Sequence, residues 1–132
     1  MSLSIIKLLK LKDIPSGVIS EGKRNRLIFR DKDNAFYFSG FSGDKLVCLT
    51  CLVVNKDNTA TIKSNFTLKE YRGLGYFTEL NRYCLDYALE HGVRRILLNC
   101  LQDSVSIHLK AGAKIWKTTK TITWMVYPGG SF

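Results

Sequence analysis

Apolar positions along the chain change their period repeatedly, and each change marks an element. Over residues 5–11 apolar side chains alternate with Lys7 and Lys10, which is a strand pattern. It closes at Lys12-Asp13-Ile14-Pro15, where Pro15 cannot continue a ladder and Asp13 suits a turn or a helix cap. Residues 16–33 are polar, include Gly17 and Gly22, and are expected to hold one or two short helices. Residues 35–41 are aromatic and strand-like, and Ser42-Gly43-Asp44 forms a turn cluster. The near-continuous apolar run over 46–54 fits a central strand covered on both faces. After the turn Asn55-Lys56-Asp57-Asn58, residues 59–68 supply the third strand of an antiparallel meander.

Tyr71-Arg72-Gly73-Leu74-Gly75 then breaks the β pattern. Phe77, Leu80, Cys84 and Ala88 recur at helical spacing and predict a helix to about Glu90 with that stripe facing inward. His91-Gly92 is its stop signal. Residues 93–100 read as another buried strand, 102–111 as a short helix ending at Gly112, and 113–118 and 121–128 as two closing strands. No linker, repeat or low-complexity stretch divides the chain. The expectation is one domain over residues 1–132, of mixed α/β class, with a twisted, mostly antiparallel sheet of about seven strands and flanking helices. Met1, Ser2 and Leu3 are expected to take no part in it.

A length of 132 residues with 45% hydrophobic content suffices for one core. No stretch approaches the roughly 20 apolar residues of a membrane span, and residues 1–11 lack a cleavage site of the secretory kind. A cytoplasmic location is expected. Cys48 and Cys51 form a C-x-x-C, yet they lie inside the strand run, where residues three apart point to opposite faces. With Cys84 and Cys100 isolated, all four thiols read as inert core residues, and no metal is implied. The net charge of +9 is dispersed over Lys23, Arg24, Arg26, Arg94, Arg95, Lys110, Lys114, Lys117, Lys120 and others. Such a balance suits a polyanionic cofactor and also nucleic acid, although no aromatic-basic interleaving of a stacking platform is evident.

The chemistry concentrates where a strand runs into Arg72-Gly73-Leu74-Gly75 and a long helix opens. Unpaired N–H groups and the positive end of the helix dipole make such a start an anion site. Glycines let the backbone approach a phosphate, and Arg72 adds positive charge. A pyrophosphate is the natural guest. Neither common nucleotide motif is present: G-x-x-x-x-G-K-[ST] is absent, and Thr78 stands where G-x-G-x-x-G needs its last glycine. The preceding meander also argues against a dinucleotide fold.

Arg72-Gly73-Leu74-Gly75-Tyr76-Phe77 resembles the signature of the GNAT superfamily of acyl-CoA N-acyltransferases: Arg or Gln, two residues, Gly, one residue, then Gly or Ala. The last position departs, being Phe77. Lys69-Glu70-Tyr71 is similar to the family's lead-in, and the order of elements resembles the family over nearly the whole chain. The resemblance implies that backbone amides of Gly73, Leu74, Gly75, Tyr76 and Phe77 cradle the pyrophosphate of coenzyme A. It implies also that main-chain groups of Phe66, Thr67 and Leu68 pair with the pantetheine arm as an added strand. Phe77, on the helix's apolar stripe, is expected to point into the core and not at the phosphate.

Aligned on Gly112, the segment from Ser104 to Ala113 resembles the family's short helix, with Ser104 in its small position, Ile107 in its aliphatic one and His108 in place of its usual tyrosine. The resemblance therefore gives His108 the role of protonating the departing thiolate, which histidine can do near neutral pH. The alternative is a histidine on the helix surface without a role. Glu70 reads as structural, Glu79 as solvated and Asp103 as a helix cap, so no general base is assigned. The activity implied is N-acetyl transfer from acetyl-CoA to a primary amine within a ternary complex. The basic residues in 16–33 point to an acidic acceptor, and a second copy of the chain is left open as a partner. The competing reading is a non-catalytic domain of the same fold, acting as a binding or structural module.

Overall fold

The computed structural model describes residues 2–25, 27–29 and 31–128, apart from the side chains of Ser64 and Asp103. Strand β1 (Ile5–Leu9) is followed by a 3-10 turn (Leu11–Asp13) and helix α1 (Ser16–Arg24). Strands β2 (Ala35–Ser42), β3 (Lys45–Val54) and β4 (Thr59–Thr67) form the meander, and a second 3-10 turn (Lys69–Tyr71) leads into α2 (Tyr76–Glu90). Then come β5 (Arg95–Cys100), α3 (Gln102–Lys110), β6 (Lys114–Thr118) and β7 (Thr123–Tyr127). All seven strands share one sheet in the order β1-β2-β3-β4-β5-β7-β6. Every neighbouring pair is antiparallel except β4 and β5, which α2 connects as a crossover.

That parallel pair is short. It runs from Thr59 opposite Arg95 to Ile62 opposite Leu98 and stops, while β4 continues to Thr67. Past Ile62 the two strands part, and the sheet opens at its centre.

Two apolar layers flank the sheet. On one face α2 sets Leu80, Cys84, Leu85 and Ala88 against Leu52, Ile62, Ile96, Leu98 and Met125. On the other, Val18 of α1 and Ile14 cover Tyr37, Leu49, Cys51 and Phe66. Cys48 belongs to the first layer and Cys51 to the second, as strand alternation demands. All four cysteines are free and buried, and burial pushes the Cys48 and Cys84 thiols up to about 12, far from a reactive thiolate. No helix among the described residues is long and apolar enough to cross a membrane.

Several expectations change. The described residues of 16–33 hold one helix, α1, within the one or two expected, and its cap position falls to Pro15, which makes no side-chain bond. Leu3 joins the core and donates its N–H to Glu79 Oε1 at 3.0 Å, so Glu79 is half-buried and anchors the start of the chain to α2. The buried stripe of α2 is Tyr76, Leu80, Asn81, Cys84, Leu85 and Ala88. Phe77 is only half-buried and not in the core. By angle around the helix Phe77 falls within this stripe, but it stands in the first turn of α2, where it lines the cavity between the parted strands and is not covered by the sheet. The side chain of Asp103 and the whole of Arg26 lie outside the described residues.

Leu80 is fully buried between α2 and the sheet, in the helix that carries the glycine turn. Leu80→Ala should lower the unfolding free energy by about 2–5 kcal/mol in urea denaturation, since it removes packed methyl groups and leaves a cavity.

Candidate active site

Below the point where β4 leaves β5, the chain makes three bonds that shape one wall. Leu68 N–H donates to Val47 O at 2.8 Å, and Tyr71 N–H donates to Leu68 O at 2.9 Å. Both main-chain groups of Leu68 are thereby used inside the protein. Alternation along the strand turns the main chain of Thr67 the other way, toward the gap. There Arg72 Nε donates to Thr67 O at 2.9 Å, with the guanidinium 5.8 Å from the centre of the Phe66 ring. Of the three residues expected to pair with an extended ligand, Thr67 turns its main chain to the gap, with its carbonyl taken by Arg72, and Leu68 does not face it.

The turn after Arg72 needs left-handed backbone twice, at Gly73 (φ +76°) and at Gly75 (φ +86°), which occupies the N-cap of α2. Residues with a Cβ rarely adopt these angles. A Cβ built on either glycine would meet nothing within 4 Å, so both face open space. The first intrahelical bond of α2 runs from Glu79 N–H to Gly75 O at 3.2 Å. The amides ahead of Glu79 have no carbonyl one turn back to receive them. They lie at the positive end of a fifteen-residue helix dipole.

Between this turn, the free end of β4 and the start of α3 lies a cavity of about 610 Å³. Phe66, Thr67, Arg72, Gly73, Gly75, Tyr76 and Phe77 all line it, as does Ser104. Leu68 and Leu74 do not. Leu74 points outward at 38% exposure. Sequence reasoning missed Asn65, whose Oδ1 accepts from the buried Thr50 hydroxyl, and Asn25 and Leu27, which close the cavity from the end of α1. Nothing in the local pattern marks them, because they reach the cavity only through the parting of β4 and β5 and the return of the loop after α1. No carboxylate or imidazole lines the cavity among the described side chains.

His108 lies behind the wall. It is fully buried, which rules out a surface histidine, and its ring meets Phe77 edge-on at 6.0 Å between centres. Its Nδ1 is 2.6 Å from the Tyr127 hydroxyl, which also accepts from Asn81 Nδ2 at 3.2 Å. The phenol and Nδ1 share one proton between them, and Nε2 has no hydrogen-bond partner among the described residues. Burial lowers the His108 pKa from 6.5 to about 4 and pushes the Tyr127 phenol up to about 12. At neutral pH His108 is thus an uncharged ring. A neutral imidazole is a poor proton donor to a thiolate, and the ring is separated from the cavity by its neighbours Ser104, Ile107 and Phe77. The general-acid role expected of His108 does not fit this environment.

Relatives fit the geometry. A profile of the Acetyltransferase (GNAT) family matches residues 7–112. No curated protein matches the chain in sequence. Among solved structures, the ribosomal-protein-S18-alanine N-acetyltransferase from Escherichia coli superposes with a TM-score of 0.75 at 13% identity, over 97% of this chain and 95% of that one. A spermidine N-acetyltransferase variant from Vibrio cholerae gives 0.77 at 15% identity, over 94% of each chain. An acetyltransferase from Bacillus subtilis, solved in complex with CoA, gives 0.69 at 13% identity, over 93% of this chain and 97% of that one. The family match spans most of the chain, the sheet and its crossover have the same architecture in these structures, and the protein belongs to the GNAT acetyltransferase family.

Proposed function

We propose that the protein transfers an acetyl group from acetyl-CoA to a primary amine by direct attack in a ternary complex. The observation that carries this reading is the turn at residues 73–75: two left-handed glycines with open space where side chains would stand, at the mouth of a helix and on the wall of the cavity. Amides of residues 73–77 would hold the pyrophosphate there, with Arg72 beside them. Arg72 is held by its Nε on Thr67 O, so its terminal nitrogens stay free for phosphate oxygens. The main chain of Thr67, facing the gap on the edge of β4 that β5 leaves, supports an extended pantetheine running between the two strands.

The reaction needs little more than placement. The amine lone pair adds to the thioester carbonyl carbon, the C–S bond breaks, and the thiolate leaves. In this reading the amine arrives neutral and its surplus proton passes to solvent or the thiolate. Holding the two reactants together then provides most of the acceleration. His108, with Tyr127 and Asn81, acts as a positioning group that fixes Phe77 on the wall.

Three outcomes are expected. Acetyl-CoA in large excess should raise Tm by several degrees, as a ligand of the native state must. Gly75→Glu should abolish that shift, because a carboxylate then occupies the phosphate position; Tm unaltered by acetyl-CoA in the wild type would refute the cofactor. Where the shift occurs, thiol release against an amine panel reads transfer, and binding without any release would leave the binding module as the function.

The pH dependence of kcat/KM should follow the acceptor amine, with no limb near pH 6–7 that His108→Gln removes. Such a limb would restore His108 as acid or base.

Stability has the opposite sensitivity. The His108 pKa is lower folded than unfolded, so the unfolded chain binds the extra proton, and this contribution is complete above pH 6.5 and lost as pH falls toward 4. The loss is on the order of 3 kcal/mol for this fully buried ring. Wild-type Tm should fall through this window more steeply than that of His108→Gln, and parallel curves would contradict the assigned burial.

A further inference from the structure

Helices α2 and α3 both pack on one face of the sheet, and α1 covers the other face only over β2, β3 and β4. Among the described residues, no helix lies over the outer face of β5, β7 and β6. Strand alternation points Arg95, Leu97 and Asn99 of β5 and Trp124 and Val126 of β7 to that side, since Ile96, Leu98, Met125 and Tyr127 point inward. In register, Val126 lies between Leu97 and Lys114, and Trp124 between Asn99 and Lys117. A bulge between Ile115 and Lys117 adds one residue to β6, and Trp116 turns its ring to within 6.0 Å of Trp124. Trp116 is 57% exposed and Leu97 40%.

The charge around these rings has one sign. Residues 93–128 hold Arg94, Arg95, Lys110, Lys114, Lys117 and Lys120 against a single acid, Asp103. Arg95, Lys114 and Lys117 are exposed and take part in no ion pair among the described residues. Lysines on the free edge of β6 could serve only to prevent strand pairing. That does not account for a large aromatic ring left mostly in water beside a second one. Two such faces brought together in a dimer would oppose like charges. An anionic partner with flat π surfaces satisfies both the rings and the cations.

We propose that the outer face of β5, β7 and β6 binds a single-stranded nucleic acid, with bases stacking on Trp116 and Trp124 and phosphates on Arg95, Lys114 and Lys117. The face spans two strand spacings, about 10 Å, enough for about three stacked nucleotides at roughly 3.4 Å each. It lies apart from the cavity, and none of these five residues lines it. The inference does not depend on the acetyl-transfer reading.

Both tryptophans of the chain sit in this patch, so their fluorescence reports on it alone. Titrating the full chain with short oligo(dT) at low salt should quench the emission saturably. The logarithm of affinity should fall with the logarithm of salt concentration at a slope of about −2, as expected for three phosphate contacts on a single strand. Trp116→Ala should weaken binding roughly tenfold, while Trp116→Phe, which keeps a stacking ring, should stay within about threefold of wild type. Lys114→Glu combined with Lys117→Glu should remove the binding and leave the melting transition in place. Absence of quenching at low salt overturns the proposal. So does equal affinity for polyglutamate, which would make the partner an acidic protein surface. Sedimentation as a dimer whose tryptophans resist acrylamide overturns it as well, by assigning the face to a second copy.

Discussion

The site exists because two parallel strands pair for only a few residues and then part. Main-chain hydrogen bonds hold β4 to β5 from Thr59 to Ile62, and β3 holds the rest of β4 from its other side. At Thr67 the edge of β4 has no strand beside it, and the side chain of Arg72 takes its carbonyl in place of one. The glycine turn stands at the end of that edge because the crossover helix must start there to return over the sheet. Edge, turn and cavity are consequences of one divergence. Tyr76 and Leu80 lock it by burying the first turn of α2.

Much of this was legible in the sequence. The meander, the long helix and the order of the last four elements follow from changes of period, and their bounds agree with the structure to within two or three residues. Gly73 and Gly75 were legible because a left-handed turn has few other solutions. What failed did so where tertiary contact overrides local pattern. Phe77 lies at the angular centre of the apolar stripe, yet it stands in the first turn of α2 and lines the cavity, so only the parting of the strands decides its exposure. Glu79 looks like a surface acid until Leu3 is found against it. Asn25, Leu27 and Asn65 meet only through the fold. The aromatic-basic platform was missed because its members are spread over three strands and a bulge, so that no window of sequence shows Arg95, Lys117 and both tryptophans side by side.

His108 teaches a related lesson. Its position in the short helix suggested a catalytic tyrosine's replacement, and position alone cannot give the environment. Buried against Tyr127 and Phe77, the ring is kept neutral by desolvation, and its hydrogen bond to the phenol holds its orientation. A phenol pushed upward and an imidazole pushed downward are both locked in their uncharged forms. Such a pair stiffens the junction of α2, α3 and β7 and offers no proton at neutral pH. Under the proposed function, the cavity it supports works by holding reactants, with binding energy concentrated on the diphosphate end of the donor.

The central claim is that the amides opening α2 receive a diphosphate. Backbone 1H–15N NMR of the chain titrated with coenzyme A, and separately with pantetheine, tests it most directly. The account predicts large shifts at Gly73, Gly75, Tyr76 and Phe77 with coenzyme A that pantetheine does not reproduce. Shifts confined to other residues, or the same response to both ligands, would contradict it.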